Sequence, residues 1–89
     1  MLNAARFVIT GRVQGVGYRY FALREAQAFG VCGHVRNLPD GGVEVFAEAE
    51  PEVLQAFAER LAEGPAFGHV ERVERTPLPA AGCSGFVIR

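Results

Sequence analysis

The chain has no lysine and no tryptophan, and only two of its 89 residues are cysteines. Because all nine basic residues are arginines, an arginine at one position can reflect composition as well as chemistry. Cys32 and Cys83 form no CxxC motif and are too few for a disulfide framework, so we expect two reduced thiols. Neither cysteine has a histidine partner in the sequence that would indicate a covalent nucleophile. No His or Cys spacing is typical of a metal site, so we expect no bound metal.

Long hydrophobic runs and an excess of one charge are also missing. No apolar stretch approaches membrane-spanning length, and the N-terminus MLNAARFVITGR has no basic segment before a long apolar one. The net charge of −1 argues against nucleic acid or an anionic membrane as the partner. We therefore expect a cytoplasmic protein without nucleic-acid or membrane partners. Its length, with 49% hydrophobic residues, predicts a single domain over residues 1–89.

The hydrophobic pattern alternates between strand and helix periods. It predicts strands where β-branched residues alternate and helices where apolar residues recur at three and four positions. Pro51 suits the first turn of the second helix, and valines three apart at Val70 and Val73 predict a bulge. The predicted segments are the strands Phe7–Thr10, Val31–Leu38, Val43–Glu48, Val70–Arg75 and Phe86–Ile88, and the helices Tyr18–Phe29 and Pro51–Glu63. The order β-α-β-β-α-β, with room for one extra strand, predicts an α+β, ferredoxin-like two-layer sandwich with two helices on one face of an antiparallel sheet.

The stretch GRVQGVGYRY, residues 11–20, joins the first strand to the first helix. Gly15 and Gly17 can adopt backbone angles that other residues avoid, and they let a ligand approach the main chain. Successive N–H groups and the start of a helix favour an anion there. Arg19 lies in the first helical turn, where a cation is disfavoured unless an anion is bound. The stretch is neither a Walker loop nor a dinucleotide fingerprint, and a flexible glycine turn with a solvated arginine explains these residues equally well.

Asn37 is a second candidate because it ends the second predicted strand. In the predicted topology the first and second strands are parallel with the third between them, so Asn37 and the glycine loop lie at the same end, roughly 10 Å apart at the backbone. Asn37 shares its parity with Val35 and would face the covered side of the sheet, where an amide needs partners. Simple turn chemistry in the sequence Asn-Leu-Pro-Asp-Gly is the favoured alternative.

The remaining polar residues are expected to be solvated or structural. His34 has the opposite parity and would lie on the open face of the sheet. An acidic group is expected to be solvated; its members are Glu44, Glu48, Glu50 and Glu52.

Two blocks, GRVQGVGYR (residues 11–19) and GHVRNLPDGGVEV (residues 33–45), resemble the signatures of the acylphosphatase family at about the family's spacing. The resemblance covers nearly the whole chain and includes the element order. It implies hydrolysis of the carboxyl–phosphate bond of acyl phosphates to a carboxylate and inorganic phosphate, with no metal or organic cofactor. It also implies that Arg19 and Asn37 are catalytic. The implied phosphate-binding loop consists of Gln14, Gly15, Val16, Gly17, Tyr18 and Arg19.

The resemblance implies a mechanism based on positioning. The leaving carboxylate belongs to an acid with a pKa of roughly 4, so little help from a general acid is needed. Loop N–H groups and the Arg19 fork would bind the phosphate, and Asn37 would orient the attacking water. His34 departs from the bulky aromatic residue that is common at its position in the family, which puts the packing of that sheet face in question.

Two other functions are weighed against this one. A non-catalytic ferredoxin-like anion- or RNA-binding module is disfavoured, because the third strand offers one aromatic residue among acids. The other alternative is an acylphosphatase-like domain of a larger maturation protein. The start at Met1 and the compact end at Arg89 favour a free-standing chain, which we expect to be monomeric.

Overall fold

The computed structural model describes all 89 residues, which form five strands and two helices. In chain order these are β1 (Asn3–Arg12), α1 (Tyr18–Phe29), β2 (Cys32–Asn37), β3 (Val43–Ala49), α2 (Pro51–Glu63), β4 (His69–Leu78) and β5 (Phe86–Ile88). The sheet order is β4-β1-β3-β2-β5. No helix is both long and apolar enough to cross a membrane. The predicted ferredoxin-like order is confirmed, with β3 between the parallel strands β1 and β2.

One detail of the predicted sheet is wrong. β1 pairs antiparallel with β3 and β4, and β2 pairs antiparallel with β3, but β5 pairs parallel with β2. The sheet is therefore mixed rather than antiparallel. The difference arises because residues 79–85 carry the chain from β4, at one edge of the sheet, to the beginning of β2 near the other edge, so that β5 runs in the direction of β2.

Both helices cover one face of this sheet, and the core lies between the layers. α1 buries Phe21, Ala22 and Ala26, and α2 buries Leu54, Phe57 and Leu61. α1 ends at Phe29, Gly30 caps it with a left-handed φ of 71°, and the N–H of Val31 then donates to the carbonyl of Ala26 at 2.9 Å. This C-terminal motif favours glycine, which adopts the left-handed conformation at little cost. The buried residues of the sheet include Phe7, Ile9, Val35, Val43 and Val45.

The bulge predicted from the valine spacing is present in β4. Thr10 lies opposite Arg72 and Gly11 lies opposite Val70, so Glu71 is the extra residue. Without that extra residue, valines three apart would point to opposite faces. With it, Val70 and Val73 both pack against the core.

On the face opposite the helices, two of the four glutamates that were expected to be solvated are buried. Glu44 is 7% exposed, because Arg6 on β1 and Arg36 on β2 both bind its carboxylate, with Arg36 Nε at 2.7 Å. The Arg36 hydrogen bond, helped by Arg6, lowers the pKa of Glu44 below its usual value. Glu48 is 2% exposed, because its carboxylate accepts the backbone N–H groups of Ala81 and Gly82 at 2.9–3.2 Å. Glu50 and Glu52 are exposed, as expected.

The expectation of two reduced thiols is also wrong for this structure. Cys32 and Cys83 form a disulfide, with their Cα atoms 5.8 Å apart. Glu48 and the disulfide together hold residues 79–85 against the beginning of β2 and the end of β3. This segment covers part of the face that the sequence predicted to be open.

His34 lies on this face, as its parity predicted. Its ring stacks on Phe46 with centroids 5.6 Å apart, and its Nδ1 is buried without a hydrogen-bond partner. Burial, followed by the charge of Arg89, lowers the pKa of His34 below its usual value. The His34 imidazole therefore packs against Phe46 on the sheet face whose packing the sequence had put in question.

Candidate active site

The loop between β1 and α1 turns through two left-handed glycines. Gly15 has φ 75° and Gly17, the N-cap of α1, has φ 80°. This region strongly favours glycine over residues with a side chain. A Cβ added at either position would meet no atom within 4 Å. The backbone angles therefore favour glycine at both positions, and the space beside them is open.

The backbone N–H groups of this loop have no protein partners. The first hydrogen bond of α1 runs from the N–H of Phe21 to the carbonyl of Gly17, at 2.9 Å. No backbone carbonyl accepts an N–H from residues 14–20, and the side chains that accept backbone N–H groups serve other parts of the chain. α1 also has no capping side chain and no acidic residue in its first turn. The positive end of the helix is therefore available to an anion.

Tyr18 fixes the point where the loop becomes α1. Its ring is 1% exposed, and its hydroxyl donates to the carbonyl of Leu61 on α2 at 2.5 Å. Burial raises the pKa of this hydroxyl above its usual value. Because the side chain points into the core, Tyr18 can offer a ligand only its backbone N–H and the edge of its buried ring.

A cleft of about 220 Å³ lies beside the loop. It is small compared with the roughly 300–1,000 Å³ of sites for drug-sized ligands. The cleft brings Arg19 and Asn37 together, as the predicted strand order required. It is lined by Val13, Gly15, Gly17, Tyr18, Arg19, Tyr20, Asn37 and Ile88.

The structure separates the predicted loop residues into two groups. Gly15, Gly17, Tyr18 and Arg19 line the cleft, whereas Gln14 and Val16 do not. The loop residues that do not line the cleft face the protein instead: Val16 packs against the core and the Gln14 amide binds the β2–β3 turn.

The sequence did not indicate Tyr20 or Ile88 as site residues. Tyr20 is 64% exposed and Ile88 is 38% exposed. Tyr20 directly follows Arg19 and ends the stretch GRVQGVGYRY, and this position was the signal from which it could have been predicted as a site residue. Ile88 reaches the cleft because β5 pairs parallel with β2, with Ile88 opposite Val35, and no sequence pattern indicated that pairing.

A possible set of metal ligands lies elsewhere. Cys32, Glu48 and Cys83 place their ligand atoms within 4.8 Å of one another. This group lies beside the beginning of β2, whereas Asn37 ends that strand, and the two sulfurs are joined in the disulfide. No such group lies in the cleft.

Comparisons with known proteins show which family this chain resembles in sequence and fold. The acylphosphatase family model matches residues 5–88. A curated acylphosphatase of Thermus thermophilus is 48% identical over 79 residues, covering 89% of this chain and 90% of the relative. The crystal structure of acylphosphatase from Bacillus subtilis superposes with a TM-score of 0.95 at 39% identity, covering 100% of this chain and 99% of that chain. A crystal structure of HypF from T. kodakarensis gives a TM-score of 0.84 at 32% identity, and the match covers 98% of this chain but 12% of that protein.

Proposed function

The chain belongs to the acylphosphatase family and hydrolyses acyl phosphates to inorganic phosphate, and from this premise we propose that the cleft beside α1 is its active site. In this proposal the loop of residues 14–19 binds the phosphate, Arg19 clamps it, and Asn37 orients the attacking water. The proposal rests mainly on one observation: the same cleft contains the loop N–H groups without protein partners, Arg19 and Asn37.

The phosphate-binding part is supported by the charge arrangement of the loop. Backbone N–H groups at a helix start and a guanidinium fork are both donors that match phosphate oxygens. In phosphoryl transfer, negative charge is spread over the three equatorial oxygens in the transition state. Donors that are fixed before the substrate arrives stabilise that charge without reorganisation. Arg19, awkward at a helix start on its own, is favourable there once a phosphate is bound.

Asn37 is suited to orienting the attacking water, because it lines the cleft from β2, whereas the phosphate-binding loop follows β1. Its amide offers both a donor and an acceptor, so it can hold a water molecule while the loop holds the phosphate. The water then attacks phosphorus opposite the leaving carboxylate, and a proton passes from the water to a phosphate oxygen. A carboxylate leaves readily, so the reaction needs no general acid in the cleft.

The test of this assignment is hydrolysis of benzoyl phosphate, with and without EDTA. Asn37→Ala should bind inorganic phosphate normally and lose turnover, whereas Asn3→Ala, at the far end of the sheet, should behave like the wild type. Arg19→Ala should weaken phosphate inhibition and cost at least ~3 kcal/mol in the transition state, as for loss of one oxyanion donor. Arg12→Ala is its matched control, because Arg12 is an exposed arginine that does not line the cleft. Unchanged phosphate inhibition in Arg19→Ala would contradict the anion site, and full turnover in Asn37→Ala would contradict the water role.

The proposal extends to the state of the protein in the cell. Residues 1–89 would act as one domain and as a monomer, without a metal, an organic cofactor or a nucleic-acid partner. We propose a cytoplasmic location. Fractionating the source cells and measuring the chain in each fraction by mass spectrometry tests this location, and recovery of the chain outside the cytoplasmic fraction would contradict it.

The similarity to a short part of HypF supports a second arrangement in which the same domain belongs to a longer protein. The length of the native polypeptide, measured by mass spectrometry from its source cells, separates the two arrangements. The active-site assignment is the same in both.

A further inference from the structure

We infer that Gln14 is a positioning residue whose side chain holds the phosphate-binding loop in place relative to Asn37. This inference rests on the proposed function, in which the loop and Asn37 act on two different reactants. It changes the role that the sequence motif implied, because the Gln14 side chain binds the protein rather than the phosphate.

The geometry of the Gln14 amide is specific. Its Nε2 donates to the carbonyl of Leu38 and to the carbonyl of Gly42, each at 2.8 Å. Both partners are acceptors, so only the nitrogen of the amide can face them. An amide nitrogen has two hydrogens, and these two bonds use both. Gln14 therefore has no side-chain N–H left to offer a phosphate, and it does not line the cleft.

The two carbonyls lie on either side of the β2–β3 turn. The N–H of Leu38 donates to the carbonyl of Gly42 at 2.8 Å, and the N–H of Gly42 donates to the Asp40 carboxylate at 3.0 Å. These bonds make the turn a compact unit that begins one residue after Asn37. The Gln14 amide binds that unit at its two ends.

No other hydrogen bond joins the loop to the turn. β1 and β2 are not neighbours in the sheet, and the pairing of β1 with β3 ends at Ile9 and Val43, before the loop begins. The loop's other hydrogen bonds run from Phe21 to Gly17, within the start of α1, and from the Tyr18 hydroxyl to Leu61 on α2. The Gln14 amide is therefore the hydrogen-bonded link between the loop and the turn that follows Asn37, in addition to the packing of Val16 against the core.

The expected consequence is a loss of turnover without a matching loss of phosphate binding. The loop N–H groups and Arg19 belong to one chain segment, which can bind phosphate whether or not the turn is aligned with it. Attack by the water requires both segments to be in register, and a misplacement of about 1 Å can cost on the order of 10²-fold in rate.

The test uses Gln14→Met, which keeps the length of the side chain but has no donor. We expect its kcat on benzoyl phosphate to fall at least ~10-fold while the inhibition constant of inorganic phosphate stays within ~3-fold of wild type. Gln14→Glu, which places a carboxylate against two carbonyls, should lose as much or more. Gln55→Met is the matched control, because Gln55 is exposed on α2 and bonds only to exposed surface side chains. All rates are compared well below the unfolding temperature of each variant, so loss of folded protein does not enter.

The decisive measurement is the double variant with Asn37→Ala. If Gln14 acts through Asn37, Gln14→Met should cost less than ~2-fold in the residual kcat of the Asn37→Ala enzyme, because the two changes remove the same function. An equal loss in both backgrounds would overturn the inference, and so would a rise in the phosphate inhibition constant with unchanged kcat. Full turnover in Asn37→Ala alone is a different result: it contradicts the proposed function and, with it, the role of Gln14.

Discussion

Reduction of the Cys32–Cys83 disulfide is expected to lower the free energy of unfolding by about 4 kcal/mol. The two cysteines are 51 residues apart, and closing a loop of that length in the unfolded chain removes entropy worth about 4 kcal/mol. Domains of this size are stable by only about 5–15 kcal/mol. The loss should therefore lower the unfolding temperature by roughly 15–30 °C, at about 4–8 °C for each kcal/mol.

Urea unfolding of the oxidised protein, with and without a dithiol reductant, measures this difference. The Cys32→Ser/Cys83→Ser double variant is the control: it should match the reduced wild type and should not respond to the reductant. A reduced wild type within ~1 kcal/mol of the oxidised protein would refute the reasoning. Such a result would mean that the unfolded chain is already compact, or that reduction also frees residues 79–85 in the folded protein.

Three further substitutions test other features of the fold and the site. Glu44→Gln should make the free energy of unfolding depend less on pH in acid. Because arginine pairing lowers the pKa of Glu44, its charged carboxylate contributes fully to stability above the usual glutamate pKa of about 4.3. That contribution is lost as the pH falls through the lower folded-state value. An unchanged slope in acid urea titrations would contradict this. Tyr18→Phe should cost about 1–3 kcal/mol in urea unfolding, because the carbonyl of Leu61 loses its buried donor; a neutral effect would mean that water replaces the hydroxyl. Gly17→Ala should cost about 1–2 kcal/mol, because alanine at φ 80° is strained, and it should lower kcat/KM for benzoyl phosphate, whereas full activity would show that the loop tolerates another conformation.

The sequence predicted the central part of the site because that part depends only on element order. Once the third strand lies between the first two, the loop after β1 and Asn37 at the end of β2 must meet at one edge. Glycines at positions 15 and 17 then indicated the turn. The bulge in β4 was predictable for a similar reason, since two valines three apart cannot share a sheet face without an extra residue.

The features that the sequence did not reveal depend on long-range pairing. Burial of Glu44 requires arginines at matching positions on two neighbouring strands, and the register that aligns them is visible only in the folded sheet. Burial of Glu48 and the disulfide both depend on the path of residues 79–85. That segment is rich in Pro, Ala and Gly, so it has no periodicity from which its course could be predicted. The same unpredicted crossing brings Ile88 to the cleft.

Gln14 marks the limit of what a motif can show. The motif places it within the phosphate-binding loop, but a sequence pattern does not indicate where a side chain points. In the structure the backbone of the loop faces the cleft and the Gln14 amide faces the turn. A residue can therefore belong to a binding motif because it holds the motif in place.

The cleft is assembled from three segments, and each is held by a different structural device. The Tyr18 hydroxyl fixes the start of α1 to α2, the Gln14 amide fixes the loop to the turn after Asn37, and the pairing of β5 with β2 brings Ile88 to the rim. None of the bonds that make these attachments binds the substrate in the proposed mechanism. Because the proposed chemistry depends on the relative positions of these segments, substitutions at the attachments should lower the rate even where every group that contacts the phosphate is intact. The three attachments share no hydrogen bond, so their effects on stability should be close to additive, whereas their effects on turnover should not.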